Sequence, residues 1–158
     1  MFDDLRDLYS EAILAHGKSP RHASAPAGFD GSARGDNPMC GDRITVFVRR
    51  GAGGLDAAGF EARGCELVKA SADMMCDAVP GRAAVEIAGI VSEVEAMARS
   101  GQMPEWASRG CAHCDALDAL RPLSAVHEFP SRIRCVTLPW TTLAAALQDH
   151  TGTSGNRT

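Results

Sequence analysis

Lysine is nearly missing from this chain of 158 residues: Lys18 and Lys69 stand against 14 arginines. With a net charge of −4 there is no basic excess, which excludes the electrostatic footprint of a nucleic-acid or anionic-membrane binder. No stretch approaches 18 consecutive apolar residues, so no segment is built to cross a bilayer. The first residues, Met1 to Asp7, lack the basic start and apolar core of a secretory signal, and the expected location is cytoplasmic. Large apolar residues are also scarce. Leu, Ile, Val and Phe number 30 together, whereas alanine alone supplies 26. So few would suggest disorder, but disorder also needs high net charge, and the charge here is modest. The expectation is one folded, alanine-rich domain with a thin core over residues 1–150, followed by a disordered polar tail at 151–158.

What is present is readable as an α+β chain. Phe2, Leu5, Leu8, Tyr9, Ala12 and Ile13 recur at helical spacing and predict a helix over 2–16, ended by Gly17. Residues 17–38 read as irregular chain with a weak edge strand at 29–34. Ile44, Val46 and Val48 alternate with Thr45, Phe47 and Arg49, the period of a strand. Gly51 to Gly54 is turn material, and 55–63 is the returning strand. Helices are expected at 66–79, at 83–100 (with Val85, Ala88, Val91, Val94 and Met97 or Ala98 as the apolar stripe), at 115–121, and from Thr137 to about 149. Pro139 sets that last start, because proline is tolerated in a first turn and costs ~3 kcal/mol in a helix interior. The expected class is therefore α+β, with a small antiparallel three-stranded sheet packed by about five helices.

Six cysteines in a chain with no secretory signal point to metal or thiol chemistry before disulfides. Cys40 precedes a strand, Cys65 opens a helix, and Cys135 lies just ahead of the last helix. Such boundaries hold side chains where a metal or a partner can reach them, and helix starts lower thiol pKa. Gly41 can turn Cys40 and Asp42 toward one point. Three thiolates and a carboxylate suit zinc. Gaps of this length are no zinc-ribbon signature, however, and spacing alone leaves three unrelated buried thiols equally open.

The residues around those cysteines carry more. Asn37-Pro38-Met39-Cys40-Gly41-Asp42, then Gly64-Cys65 with Ala70-Ser71-Ala72-Asp73-Met74-Met75, then Phe129 through Cys135 to Trp140, together resemble the U-type iron–sulfur cluster assembly scaffold family (IscU, the NifU N-terminal domain, SufU). Leu8-Tyr9 through Arg21 is similar to the family's first helix and loop. Arg134 before the third cysteine, the long Cys65–Cys135 stretch and the absence of a Leu-Pro-Pro-Val-Lys segment resemble the SufU branch most. The resemblance implies a SufE/NifU-like fold and a metal site of Cys40, Asp42, Cys65 and Cys135. It implies a zinc-bound acceptor of persulfide sulfur from a pyridoxal-phosphate cysteine desulfurase, with Cys40 as sulfur acceptor, Arg132 assisting, and downstream iron–sulfur assembly proteins or apo-proteins as recipients. The alternatives are a scaffold holding a transient [2Fe–2S] cluster on the same ligands, and a structural zinc module without sulfur chemistry.

Some residues depart from that pattern. Glu66 and Lys69 replace small or apolar residues beside Cys65, with Glu66 expected to face solvent. Cys111-Ala112-His113-Cys114 is either a second metal or redox element or a loop pair without a role. Cys76 is expected in the core, and His16, His22, His127 and His150 as surface or packing residues.

Overall fold

The computed structural model describes residues 10–104 and 115–148. Among them the order is α1 (Glu11–Lys18), β1 (Gly31–Asn37), β2 (Asp42–Gly51), β3 (Gly54–Arg63), α2 (Glu66–Ala78), α3 (Ala84–Ser100) and α4 (Asp115–Asp118). Two 3-10 helices, Arg121–Glu128 and Pro130–Arg132, lead into α5 (Ile133–Gln148). This is the expected α+β class, with three strands and five α-helices among the described residues.

The sheet has the order β1-β2-β3 and is antiparallel throughout. Ile44, Val46 and Val48 of β2 face inward and are buried, as their alternation predicts. The sequence of β1 has little strand propensity. It pairs with β2 over its whole length, from Gly31 opposite Val48 to Asn37 opposite Asp42, and so lies later than the expected 29–34. Helix α5 packs on β1 and β2, α2 on β3, α1 on α2, and α3 on α5 and the longer 3-10 helix. The fully buried Trp140, Phe60, Leu67, Met75 and Leu138 fill the space between these layers. Each such side chain contributes ~1.5–3 kcal/mol by leaving water, which is how a chain with few large apolar residues is held together.

Three expectations are corrected. Helix α1 runs through Gly17 to Lys18, because Gly17 packs on the backbone of α2: a Cβ there would lie 2.7 Å from the Glu66 carbonyl oxygen. In α3 the buried stripe is Ile87, Ile90, Val91, Val94, Met97 and Ala98, while Val85 and Ala88 face outward. Helix α5 starts at Ile133 and not near Thr137, so Cys135 is its third residue and Pro139 sits in its interior. Nine residues of α5 are buried, and that packing outweighs the cost of the proline.

The irregular chain after α1 is tied down by two carboxylates of α2. Asp73, 0% exposed, accepts from His16 Nδ1 at 2.7 Å and from the backbone N–H groups of Arg21 and His22 at 2.8 and 2.9 Å. Asp77 accepts from His22 Nε2 at 2.8 Å and from the Arg21 guanidinium. His16 and His22 are thus packing residues, as expected. Among the described residues no helix is long and apolar enough to cross a membrane.

Candidate metal centre

Four segments distant in sequence meet at one end of the sheet. The turn from β1 to β2 is closed by the N–H groups of Cys40 and Gly41, which both donate to the Asn37 carbonyl, at 3.1 and 2.8 Å. Cys40 stands exposed on that turn, with its thiol 4.0 Å from the Ser131 carbonyl oxygen ahead of α5. Asp42, the first residue of β2, points into the core and is 1% exposed.

Between β3 and α2, Gly64 adopts φ +151°, and a Cβ there would lie 2.2 Å from Asp42 Oδ1. The carboxylate occupies the space that only glycine leaves free. The next residue, Cys65, is the N-cap of α2, and its backbone N–H donates to Asp42 Oδ1 at 3.2 Å. From α5, the buried Cys135 thiol donates to Asp42 Oδ2 at 3.3 Å. A buried strut fixes α5 against α2 beside this pair. The Ser71 hydroxyl donates to the Val136 carbonyl at 2.7 Å and accepts from Trp140 Nε1 at 3.1 Å.

The ligand atoms of Cys40, Asp42 and Cys135 all lie within 4.8 Å of one another. Cys65 is outside that mutual set, but its sulfur shares a hydrogen bond with Cys135. That bond lowers Cys65 to about 6, helped by the N–H groups of Val68 and Leu67 and opposed by burial and the Asp42 charge. The same bond pushes Cys135 far up, with burial and the charges of Cys65 and Asp42 acting in the same direction.

The donor set fits a thiolate-bound metal. The buried Cys135 thiol and Asp42 carboxylate face each other with the Cys40 sulfur within reach of both, an arrangement in which one divalent cation would satisfy all three donors. Asn37, directly across the strand register from Asp42, adds a second sign. Its Nδ2 is buried without a hydrogen-bond partner. Such an orphan costs ~1–3 kcal/mol, and the anionic donors of an occupied metal site provide acceptors for it.

The remaining candidates fall as follows. Arg132 is half-buried at the end of the shorter 3-10 helix, next to the Ser131 carbonyl that faces Cys40. Glu66 and Lys69 are half-buried on α2, and Glu66 is not among the clustered ligands. Cys76 is a core thiol, as expected, pushed up by burial and by Asp73 and Asp77. Cys111, His113, Cys114 and His150 lie outside the described residues, as does the tail 151–158. The sequence reading assigned no role to Asn37, to the shape of Gly64, or to the Ser71–Trp140 strut. A lone serine among the apolar positions of α2 was the available signal for the strut.

Comparison with known proteins agrees with this geometry. The family model described as the NifU-like N-terminal domain matches residues 8–136. The iron–sulfur cluster assembly scaffold protein IscU of Thermotoga maritima is 30% identical over 141 residues, covering 89% of this chain and 93% of that one. The zinc-dependent sulfurtransferase SufU of Bacillus subtilis is 29% identical, covering 94% and 95%. A crystal structure assigned as the scaffold of the SUF system in Fervidobacterium islandicum superposes with a TM-score of 0.77 at 25% identity, over 89% of this chain and 97% of that one. Fold and site therefore define an iron–sulfur cluster assembly scaffold of the IscU/SufU type. Within that class, the chain belongs to the NifU-like N-terminal domain family.

Proposed function

We propose that the chain is a zinc-dependent sulfur acceptor of the SufU kind, working in the cytoplasm. It takes persulfide sulfur from a pyridoxal-phosphate cysteine desulfurase onto Cys40 and passes it toward downstream iron–sulfur assembly proteins or apo-proteins. Cys40, Asp42, Cys65 and Cys135 are the zinc ligands in this reading. One observation carries it: Cys40 is exposed, whereas Asp42 and Cys135 are 1% and 0% exposed. Cys40 alone can swing away from the ligand set and meet a partner without opening the core. Zinc, when bound, keeps the thiols ionised near neutral pH and has no redox chemistry of its own.

The Cys40 thiolate attacks the outer sulfur of the donor's Cys–S–SH group. A sulfur–sulfur bond forms to Cys40, the donor's sulfur–sulfur bond breaks, and the donor cysteine leaves as a thiolate, so no external oxidant is consumed. Arg132, the residue after Ser131, assists in this reading by favouring the thiolate with its positive charge. The relative from Bacillus subtilis, named a zinc-dependent sulfurtransferase, supports the reading. To test it, the zinc-loaded protein is mixed with the cysteine desulfurase and cysteine, alkylated, and analysed by mass spectrometry. One extra sulfur on the Cys40 peptide and faster desulfurase turnover are expected, both absent in Cys40→Ala. A wild-type protein that never acquires the sulfur rules the reading out.

The IscU relative from Thermotoga maritima, as similar as the SufU one, favours a second reading: the same ligands build and hand on a [2Fe–2S] cluster as cargo. Anaerobic reconstitution separates the two. Stable visible absorbance supports cluster assembly, and a colourless protein that keeps zinc supports sulfur acceptance.

A further inference from the structure

The outer face of the sheet carries a groove that ends at the turn bearing Cys40. It encloses about 790 Å³, with Gly41 and Asp42 at one end and Arg34, Arg43, Arg63 and Asp36 along its sides. The register explains the arrangement. Asp36 lies opposite Arg43, and Arg43 opposite Arg63, in the row nearest the Cys40 turn; Arg34, Thr45 and Glu61 form the next row. One arginine from each strand therefore converges on the same hollow.

These charges are poorly matched within the protein. Arg43 Nε is 3.6 Å from Asp36 Oδ1, with both side chains about two-thirds exposed at 72% and 66%, a weak solvated pair. Among the described residues Arg34 and Arg63 form no ion pair. Like charges opposed across a ladder weaken a sheet, and Arg43 faces Arg63 directly. On a chain of net charge −4, three arginines against Asp36 and Glu61 reverse the local sign. Arginine also presents a planar fork suited to carboxylates. Beside the groove, Met39 is 91% exposed between Pro38 and Cys40, an apolar anchor at the mouth of the site.

We propose that this groove seats an acidic, Asp- or Glu-bearing segment of the sulfur-donating desulfurase and so aligns the donor over Cys40. The assignment rests on the sulfur-acceptor reading above. Pro38 and Gly41, which flank Met39 and Cys40 in the turn, line the end of the groove, so a segment seated there lies beside the turn that carries Cys40.

The test is calorimetric titration of the zinc-loaded protein with the cysteine desulfurase at low and high salt, about 50 and 250 mM. In Arg34→Glu/Arg63→Glu, affinity at low salt is expected to fall ~10-fold or more and to become less salt-dependent, with zinc content unchanged. Arg34→Lys/Arg63→Lys, which keeps the charge and loses the fork, is expected to fall in between. A glutamate variant that binds as tightly as wild type, or that loses zinc along with affinity, overturns the groove assignment and leaves the sulfur-acceptor reading standing. A wild-type protein that does not bind the desulfurase overturns that reading, and the groove's occupant with it.

Discussion

Among the described residues, two side-chain clusters contain metal-ligand residue types at metal-ligand distances. One is Cys40, Asp42 and Cys135; the other is His16, Asp73 and Asp77. They differ in saturation. Both oxygens of Asp73 and both of Asp77 already accept N–H donors from a segment they hold in place. The second cluster is a finished clasp in which every carboxylate oxygen already has a donor. In the first, the Cys135 thiol and the Asp42 carboxylate have one hydrogen bond between them, the Cys40 thiol only a long contact with a carbonyl, and the Asn37 amide nitrogen beside them no acceptor. Residue type and proximity do not distinguish the two, whereas counting donors against acceptors does.

The comparison can be broken by substitution. Removing a ligand from the unsaturated cluster has the largest effect. Cys135→Ser is expected to lower zinc affinity by more than the roughly 10–100-fold that outer-shell changes cost, as measured by competition with a chromophoric chelator. Asp73→Asn should do the opposite, keeping zinc stoichiometry while losing about 1.5–3 kcal/mol in urea unfolding, because three donors lose an ionised acceptor. Zinc loss in that variant would show that the clasp is itself part of the centre.

Ser71→Ala sharpens the contrast at smaller scale. It leaves the buried Trp140 indole N–H without its acceptor, for a loss of about 1–3 kcal/mol. If the strut also positions Cys135, zinc affinity falls by up to ~10-fold in the same chelator assay. The smallest effect separates exposed from buried sulfur in the metal-free protein. Iodoacetamide at neutral pH should label Cys40 and leave Cys76 unmodified until the protein unfolds, as read by peptide mass spectrometry.

Local patterning made the fold legible. The alternation in β2 is strong, and it forecast the buried face of the sheet. The weakest inference from sequence was the start of α5. Pro139 argued for Thr137, but a helix with nine buried positions tolerates an interior proline, and burial against β1 and β2 is invisible along the chain. In α3 the expected stripe holds from Val91 onward and fails only in its first part, at Val85 and Ala88. Val85 fits the helical spacing, but the face that meets α5 starts at Ile87. The clustering of Cys40, Asp42 and Cys135 was legible because Cys40-Gly41-Asp42 and Cys135 sit in distinctive surroundings. Gly64 and Asn37 acquire their meaning from Asp42, a contact made across strands. The serine of the strut acquires its own from a carbonyl 65 positions away.

Trp140 has a practical consequence. Its indole is wholly shielded from water, five residues along the helix from Cys135, and its N–H is bonded to the neighbouring helix. Any rearrangement that pries those two helices apart hydrates the ring and reddens its fluorescence. The protein therefore carries its own optical probe of movement between those two helices.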